Sequence, residues 1–429
     1  MFKLIRGILY AVLTFVAALF VWVFSAIDKA VANPKREQLD NYTSSEGNSG
    51  SFEKNGTLII LNLHGSYDEM GQQYGALAYN QLNEIYQTLV PQYFSGFSYK
   101  TLLALMLRSY YDHRLDPRER AILQGMAKTS GLTYRQLLSV ELVSVAMDIF
   151  NDRTVHGHCS FMSAWGERSK SDTMLIARNL DLITQVGQLD KYNSLVIYNP
   201  TKCNDNSVAS FGFIGLVPGF TMINSQGLFF EANDGQSSVP GFDVMNGVVA
   251  LNTGFYGLLD AKNRNDFIES FYAVPTMTSH FSAIVDKDHA QVLERASHNV
   301  PKLLDGQGEG YLFFTNLYRT ADFKNEKISI NDCVEKTRDS ATYACVRYHH
   351  FEKFVATHDQ FDVNELKTFF HTPLDDGGIY QPGNSKGFPV KEITIHTVIG
   401  DLSTGEFIYS NHQNKDAWIN LAIYKYFAK

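Results

Sequence analysis

Cysteine and clustered basic residues are both scarce in this sequence. Its 429 residues include four cysteines, and no two of them are spaced as CxxC. The absence of a CxxC pair excludes a zinc ribbon and a dithiol redox motif. The formal net charge is −8, charged residues make up only 19%, and no basic run is present. We therefore expect no nucleic-acid partner and no general attraction to anionic membrane surfaces.

Apolar residues, in contrast, are plentiful and begin with one long run. Lys3 and Arg6 precede the 21 uncharged residues Gly7–Ile27, which would reach about 30 Å as a helix. Residues 1–32 are therefore predicted to be a transmembrane anchor or a signal peptide, with Ala30-Val31-Ala32 as the candidate cleavage site. Either alternative predicts an exported chain that is membrane-anchored, periplasmic, lumenal or secreted. Residues 33–55 are polar and rich in Ser, Gly and Asn, which predicts a flexible tether.

The rest of the chain has two different patterns of apolar residues, which together predict an α+β fold. Residues 56–158 open with a strand-like run and continue with apolar residues near helical spacing, with Pro117 suited to a first helical turn and Thr133 to an N-cap. Residues 159–429 contain many short apolar runs separated by Gly, Asn, Asp and Ser, which predicts strands, with one helical stretch before the last strands. Helices first and strands later are typical of layered α+β proteins.

Cys159, in the stretch "HGHCSFMSAW", has four interpretations. A metal site would use His156 and His158, but alternate residues of a strand put Cys159 on the opposite face, and a fourth ligand is not recognisable. A disulfide is the second interpretation, although Cys333 and Cys345 lie twelve residues apart and suit each other, either as a bridge or as two buried thiols. A buried inert thiol is the default for a single cysteine. A nucleophile is the fourth.

Charged residues downstream favour the nucleophile. Arg178 and Asp181 stand at the end of the apolar run "TMLIA". A hairpin of two strands would return both residues to Cys159. In a purely structural interpretation the two residues form an ion pair, since Arg and Asp are seldom buried unpaired. Their functional interpretation is a cation that lowers the pKa of a thiol and a carboxylate that holds an amine.

Several motifs resemble one enzyme family. Cys159 followed by "ARNLDL" is similar to the start of the mature chain in N-terminal-nucleophile amide hydrolases, and most similar to the choloylglycine hydrolases and the isopenicillin-N acyltransferase-like autoproteolytic enzymes. The resemblance extends over residues 56 to 412 through "GSYDEMGQQYG", "KTSGLTYRQLLSVE", "MINSQGLFFEAND", "FFTNLYRT" and "SATYACVRYHHF". It implies a four-layer αββα sandwich of two antiparallel sheets between helices, preceded by a helical pro-region.

The resemblance also implies a site and a maturation step. Its catalytic residues would be Cys159, Arg178, Asp181, Asn233, Asn316 and Arg347. Asn233 and Asn316 would both donate to the oxyanion, with Asn224 as the rival of Asn233 for the oxyanion hole. The precursor would cleave itself between His158 and Cys159. Residues 56–158 would form one chain and residues 159–429 the catalytic chain, paired after processing.

The implied activity is hydrolysis of a linear carbon–nitrogen amide in a small acyl amide, with no cofactor and no metal. The new α-amino group of Cys159 would act as the base, since its usual pKa of about 7.7 to 8 suits neutral pH. Three alternatives stay open: acyl transfer at the same site, a phospholipase B-like lipid hydrolase, and an inactive membrane-anchored scaffold. A papain-like protease is disfavoured because no matching Cys, His and Asn pattern is visible.

Overall fold

The computed structural model describes most of the chain. The described residues are 12, 14–20, 22–23, 27–28, 33–96, 98–143, 159–183, 189–202, 204–235, 247–277, 279–295, 301–306, 308–320, 333, 343–383 and 392–428. His158, and with it the expected cleavage junction, lies outside these residues.

Between residues 33 and 143, three strands and six helices precede Cys159. They are β1 Asn41–Thr43, β2 Ser49–Asn55, β3 Leu58–Gly65, α1 Tyr67–Leu77, α2 Tyr79–Thr88, α3 Pro91–Phe94, α4 Tyr99–Arg114, α5 Pro117–Thr129 and α6 Tyr134–Glu141. Pro117 is the first residue of α5, and Thr133 caps α6 in a capping box with Gln136, as the sequence predicts.

Strands dominate after Cys159. They are β4 Ser160–Ala164, β5 Leu175–Ile183, β6 Asn193–Pro200, β7 Val208–Phe213, β8 Thr221–Asn224, β9 Phe229–Asp234, β10 His280–Val285, β11 Ala290–Arg295, β12 Lys302–Asp305, β13 Tyr311–Phe314, β14 Glu392–Asp401, β15 Glu406–Asn411 and β16 Ile419–Ala422. The helices among them are α7 Ala250–Asp260, α8 Arg264–Ala273, α9 Tyr343–Thr357 and α10 Val363–His371.

The strands form two sheets. The larger has ten strands in the order β1-β2-β3-β6-β7-β8-β9-β10-β11-β12, and the smaller has six in the order β13-β4-β5-β14-β15-β16. β3 pairs parallel with β6, whereas the other pairings between these strands are antiparallel. The larger sheet is therefore mixed, which corrects the expectation of two antiparallel sheets. The chain leaves β3, passes through six helices and the β4–β5 hairpin, and returns beside it, and such long crossovers permit parallel pairing.

Three hydrophobic cores separate four layers. Leu58 and Ile60 of the larger sheet and Phe161 of the smaller one share the core between the sheets. Their neighbours point the other way, because side chains alternate along a strand: Leu61 packs with the N-terminal helices, and Met162 packs with α9 and α10. The order helix, sheet, sheet, helix confirms the predicted αββα architecture.

Residues 33–55 differ from the expected flexible tether. β2 pairs with β3, from Ser51 opposite Asn62 to Asn55 opposite Leu58, and β1 pairs with β2. The segment is polar because it forms the edge of the larger sheet, where most of its side chains remain exposed or half-buried. A polar composition therefore does not distinguish an edge strand from a tether.

The boundary expected at residue 32 does not separate the N-terminal segment from the fold. Asp28 is 5% exposed and its carboxylate lies 2.8 Å from the Arg108 guanidinium of α4. Its backbone N–H donates to the Phe94 carbonyl over 3.1 Å. Among the residues that the structure describes, no helix has the length and apolarity needed to cross a bilayer. Residues 7–11, 13, 21 and 24–26 of the apolar segment lie outside the described part.

Of the other cysteines, two form a bridge. Cys333 and Cys345 are joined by a disulfide with a Cα–Cα separation of 5.4 Å, which decides between the two alternatives that their spacing leaves open. Cys203 lies outside the described residues. Cys159 is the free cysteine of the described part.

Candidate active site

Cys159 lies directly before β4, at one end of the smaller sheet. β4 pairs antiparallel with β5, with Ser160 opposite Asn179, so the predicted hairpin is confirmed. The turn returns Arg178 to the cysteine, and its Nη2 lies 3.6 Å from Cys159 Sγ. The cysteine is 4% exposed. Cys159 and Arg178, which are 19 residues apart in the sequence, are thus in direct contact.

The guanidinium of Arg178 is fixed on all sides. Its Nε lies 2.8 Å from Glu231 Oε2, and neither side chain is exposed. Its Nη1 donates to Thr221 Oγ1 over 2.6 Å and its Nη2 to the Ala232 carbonyl over 3.2 Å. Arg178 therefore forms a structural ion pair with Glu231 and also lies beside the thiol, so the two interpretations of this residue are compatible.

Asp181 lies on the other side of the cysteine. Its backbone N–H donates to Cys159 Sγ, and its Oδ1 accepts from Thr394 Oγ1 over 2.7 Å. Its Oδ2 lies 4.0 Å from Arg347 Nη1 and has no hydrogen-bond partner in the described part of the chain. Burial raises the pKa of Asp181 to about 8, although Arg347 and Thr394 act in the opposite direction. One carboxyl oxygen thus remains open to a further donor.

Asn316 and Arg347 bind the backbone of Cys159. Asn316 Oδ1 accepts from the backbone N–H of Cys159 over 3.0 Å and from Arg347 Nη2 over 3.0 Å. Arg347 Nη1 donates to the Cys159 carbonyl oxygen and, over 2.7 Å, to Ser160 Oγ. Asn316 Nδ2 donates away from the cysteine, to the Asp234 carbonyl over 2.7 Å. This arrangement favours Asn316 as a residue that holds the nitrogen of Cys159 rather than as a donor to an oxyanion.

Asn233 is better placed to form the oxyanion hole than its rival, Asn224. The carbonyl groups on both sides of it, Ala232 and Asp234, accept from Arg178 and Asn316. Its side chain is 1% exposed, and within the described residues neither side-chain polar atom has a hydrogen-bond partner. A buried amide without partners is costly, so this amide is expected to bind an ordered water or a ligand.

Asn224 has a structural role instead. Its Oδ1 accepts from the backbone N–H groups of Gln226 and Leu228, over 3.0 and 2.9 Å. Its Nδ2 donates to the Leu258 carbonyl over 2.9 Å. These bonds hold the β8–β9 turn against α7. The side chain therefore has little remaining capacity for a substrate.

The environment of the thiol keeps it protonated. Burial raises the pKa of Cys159 to about 12; Arg178 lowers it, while Asp181 and Glu231 raise it further. The expected effect of Arg178 is present, but desolvation outweighs it. A base must therefore remove this proton before the sulfur can act as a nucleophile.

Four residues of the site were not predicted from the sequence: Thr221, Glu231, Thr394 and Ser160. Glu231 had a usable signal, because in "FFEAND" it stands two residues before Asn233 and alternate residues of a strand share a face. The hydroxyl residues had none, since Ser and Thr occur throughout the strands. Their contacts arise only from strand register, such as Thr394 opposite Asp181.

Metal ligation finds no support in the described ranges. No group of three or more His, Cys, Asp and Glu side chains there is placed to hold a metal ion. His156 and His158 lie outside those ranges.

The comparisons with known proteins found similarity among solved structures alone. No protein-family model matches the sequence, and no curated protein sequence is similar to it. Among solved structures, the chain is similar to a conjugated bile acid hydrolase variant from Clostridium perfringens, at 13% identity and a TM-score of 0.42, covering 62% of this chain and 93% of that one. It is also similar to a penicillin V acylase from Agrobacterium tumefaciens, at 12% identity and a TM-score of 0.43, covering 62% and 87%.

A third similar structure is an N-acylethanolamine-hydrolyzing acid amidase ortholog from Caenorhabditis elegans. It has 11% identity and a TM-score of 0.39, and the match covers 61% of this chain and all of that one. These structures come from the group of hydrolases that the sequence motifs resemble. At these identities and TM-scores the likeness carries no conclusion about the chemistry of the site.

Proposed function

We propose that this protein is an N-terminal-nucleophile cysteine hydrolase that cleaves a linear amide bond in a small acyl amide. The observation that carries the proposal is that the site binds three different groups of one residue. The nitrogen of Cys159 is held by Asn316, its carbonyl oxygen by Arg347, and its sulfur lies beside Arg178. The backbone N–H of any buried residue needs a partner. Here the partner is a side chain that Arg347 holds in place, and such a group could still bind the nitrogen after the preceding residue had been cut away.

Maturation would begin with the sulfur of Cys159. It attacks the carbonyl carbon of His158, the carbon–nitrogen bond breaks, and the thiol proton passes to the departing nitrogen. The resulting thioester is hydrolysed by water, which leaves a carboxylate on His158 and frees both the thiol and the α-amino group of Cys159. Asn316 would hold that nitrogen throughout, and the open oxygen of Asp181 would accept a hydrogen bond from the new amine.

Turnover would use the same groups on a substrate amide. The free amine, with an ordinary pKa of about 7.7 to 8, takes the thiol proton at neutral pH. The thiolate attacks the substrate carbonyl, Asn233 donates to the oxyanion, and the leaving amine receives the proton. Water then hydrolyses the thioester. The positive charge of Arg178 would stabilise the thiolate while it lasts.

We also propose that the chain is exported. The support is the disulfide between Cys333 and Cys345, since disulfides persist mainly in oxidising compartments. The apolar run Gly7–Ile27 agrees with this route.

The test of the proposed function uses the full chain and two matched variants. We expect intact mass and N-terminal sequencing to find two chains, the second starting at Cys159, and a panel of N-acyl amides to include a substrate. Cys159→Ala should give one uncut chain without turnover. Cys203→Ala, the same substitution at another cysteine, should be cut and active. Cleavage or turnover by the Cys159→Ala protein would contradict the assignment of the nucleophile.

A further inference from the structure

The apolar side chains near the N-terminus are not covered by the fold. Residues 12, 14–20 and 22–23 are helical, and all of them except Val23 are exposed. The large apolar side chains include Phe15 at 70% exposure and Phe20 at 52%. Because these side chains point in several directions around one helix, a one-sided partner surface would leave part of them in water.

Helix α4 carries a second exposed apolar surface. Tyr99, Leu103 and Met106 are 71%, 45% and 41% exposed. They are spaced i, i+4 and i+7, so they form one stripe along the helix. The buried side of α4 includes Ala104, Leu105 and Tyr111. Helix α4 is thus apolar on its outer as well as its inner face, which is unusual for a helix in contact with water.

The two surfaces are adjacent. A groove of about 340 Å³ lies between them and is lined by residues of both, among them Leu19, Phe20, Tyr99 and Leu102. An ion pair fixes this arrangement, since the Asp28 carboxylate lies 2.8 Å from Arg108 Nη1 and accepts from Ser139 Oγ over 2.5 Å. Both charged side chains are buried. This group of Asp28, Arg108 and Ser139 is called the clamp below.

The clamp also bears on the candidate cleavage site at Ala30-Val31-Ala32. Cleavage there would remove Asp28 and take from Arg108 the carboxylate that offsets its buried charge. Breaking a buried ion pair by removing one partner is strongly destabilising. The clamp therefore favours a protein that keeps its N-terminal apolar segment.

We infer that the stripe of Tyr99, Leu103 and Met106 on α4 is a bilayer-contacting surface beside a retained N-terminal membrane segment. The occupant is lipid because the neighbouring run Gly7–Ile27 has no charged residue and is long enough to span the hydrocarbon core. A helix held against that run must lie at the same membrane face. Tyr99 and Trp22 suit the interface, where aromatic side chains are enriched.

The experiment places a fluorescent reporter on the full chain in phosphatidylcholine vesicles. An environment-sensitive label is attached to Leu103→Cys, to Leu19→Cys or to Leu39→Cys, in a Cys159→Ala, Cys203→Ala background that retains the disulfide. Leu39 is an exposed apolar residue, at 42%, in the segment before β1, and is the matched control. Brominated lipids should quench the labels at 103 and 19 several-fold more than the label at 39.

Three results would overturn the inference. Quenching at position 19 without quenching at 103 means that α4 stays in water. Equal weak quenching at all three positions means that no bilayer contact exists. Shielding of the label at 103 in detergent that grows with protein concentration identifies a second copy as the occupant. Because the background cannot use Cys159, none of these results depends on the proposed amidase activity.

Discussion

The side-chain amide of Asn233 is buried at the candidate active site and has no hydrogen-bond partner within the described residues. Its neighbours in sequence are fixed by Arg178 and Asn316, so the backbone position is well defined. A donor that is held in place before the substrate arrives stabilises a developing charge without reorganisation. This is why we assign the oxyanion contact to Asn233 and not to Asn316, whose oxygen points at Cys159.

Replacement of Asn233 should therefore affect catalysis more than folding. We expect Asn233→Ala to lower kcat by about a hundredfold or more, because the oxyanion loses a donor, while Tm stays close to that of the parent protein. Steady-state kinetics and thermal unfolding measure the two effects.

Asn224→Ala is the control for this prediction, because the same substitution removes the hydrogen bonds of the β8–β9 turn. It should lower Tm and leave kcat of the folded protein near the parent value. If Asn233→Ala keeps its kcat, the oxyanion donor is another group.

At the residue scale, the sequence indicated candidate residues for the site but few of the contacts that the structure shows between them. The proximity of Cys159, Arg178 and Asp181 was predictable because they lie on two strands that are close in sequence and form a hairpin. Arg347 and Asn316 came from motifs, and only the structure shows that they bind the backbone of Cys159. Glu231 was missed because an ion pair between distant strands depends on the packing of two sheets, which no short pattern encodes.

At the scale of elements, the close packing of α1 on α5 depends on two glycines. A Cβ atom on Gly71 would overlap the Ile122 carbonyl oxygen, and one on Gly125 would overlap the Asp68 carbonyl oxygen. The backbones of the two helices thus approach more closely than side chains allow. This contact explains Gly71 within "GSYDEMGQQYG" on structural grounds.

We expect Gly71→Ala to destabilise the protein by about 1–3 kcal/mol through overpacking. The sign is informative, because alanine is otherwise favoured over glycine inside a helix by about 1 kcal/mol. Urea unfolding followed by circular dichroism measures the change.

Ala76→Gly, in the same helix, is the comparison for Gly71→Ala and should cost only about 0.5–1 kcal/mol. An unchanged or higher free energy of unfolding for Gly71→Ala would show that the helices separate easily.

Elements also differ in how far a sequence predicts them. The interior strands are apolar and bounded by turn residues, so their existence was predictable. β1 and β2 were not, because an edge strand exposes polar side chains and lacks the alternation that marks a half-buried strand. The parallel partner of β3 was equally hidden, since β6 lies more than a hundred residues away along the chain.

At the scale of the whole molecule, buried titratable groups set the pH dependence of stability. Burial raises the pKa of Asp181 to about 8 and that of Asp190 to about 7, from 3.8. The folded state thus binds more protons than the unfolded state between these values, and this contribution to the free energy of unfolding falls as pH rises. Burial lowers the pKa of His280 to about 3 and of His371 to about 4, from 6.5. Their contribution is complete above pH 6.5 and is lost as pH falls below it.

The two groups together predict decreasing stability between pH 6.5 and 8. The histidines are half protonated in the unfolded state at pH 6.5 and become neutral in both states as the pH rises. Throughout the interval the two carboxyl groups release more protons on unfolding than the two histidines take up. We expect Tm of the uncut Cys159→Ala protein to fall over this interval, and Asp190→Asn to make the fall shallower. Thermal unfolding in buffers of equal ionic strength measures it. A Tm that is constant or rises from pH 6.5 to 8 would contradict this account.

The parallel pairing of β3 with β6 has a consequence for any cleavage before Cys159. β3 belongs to the part of the chain before that residue, and β6 to the part after it. If the first part were absent, β6 would become an open edge of apolar residues with unpaired backbone groups, which is a template for aggregation. The first part therefore supplies three of the ten strands of the larger sheet and cannot be discarded as a leader. Its removal would leave residues 159–429 able to pair edge to edge with other copies of themselves.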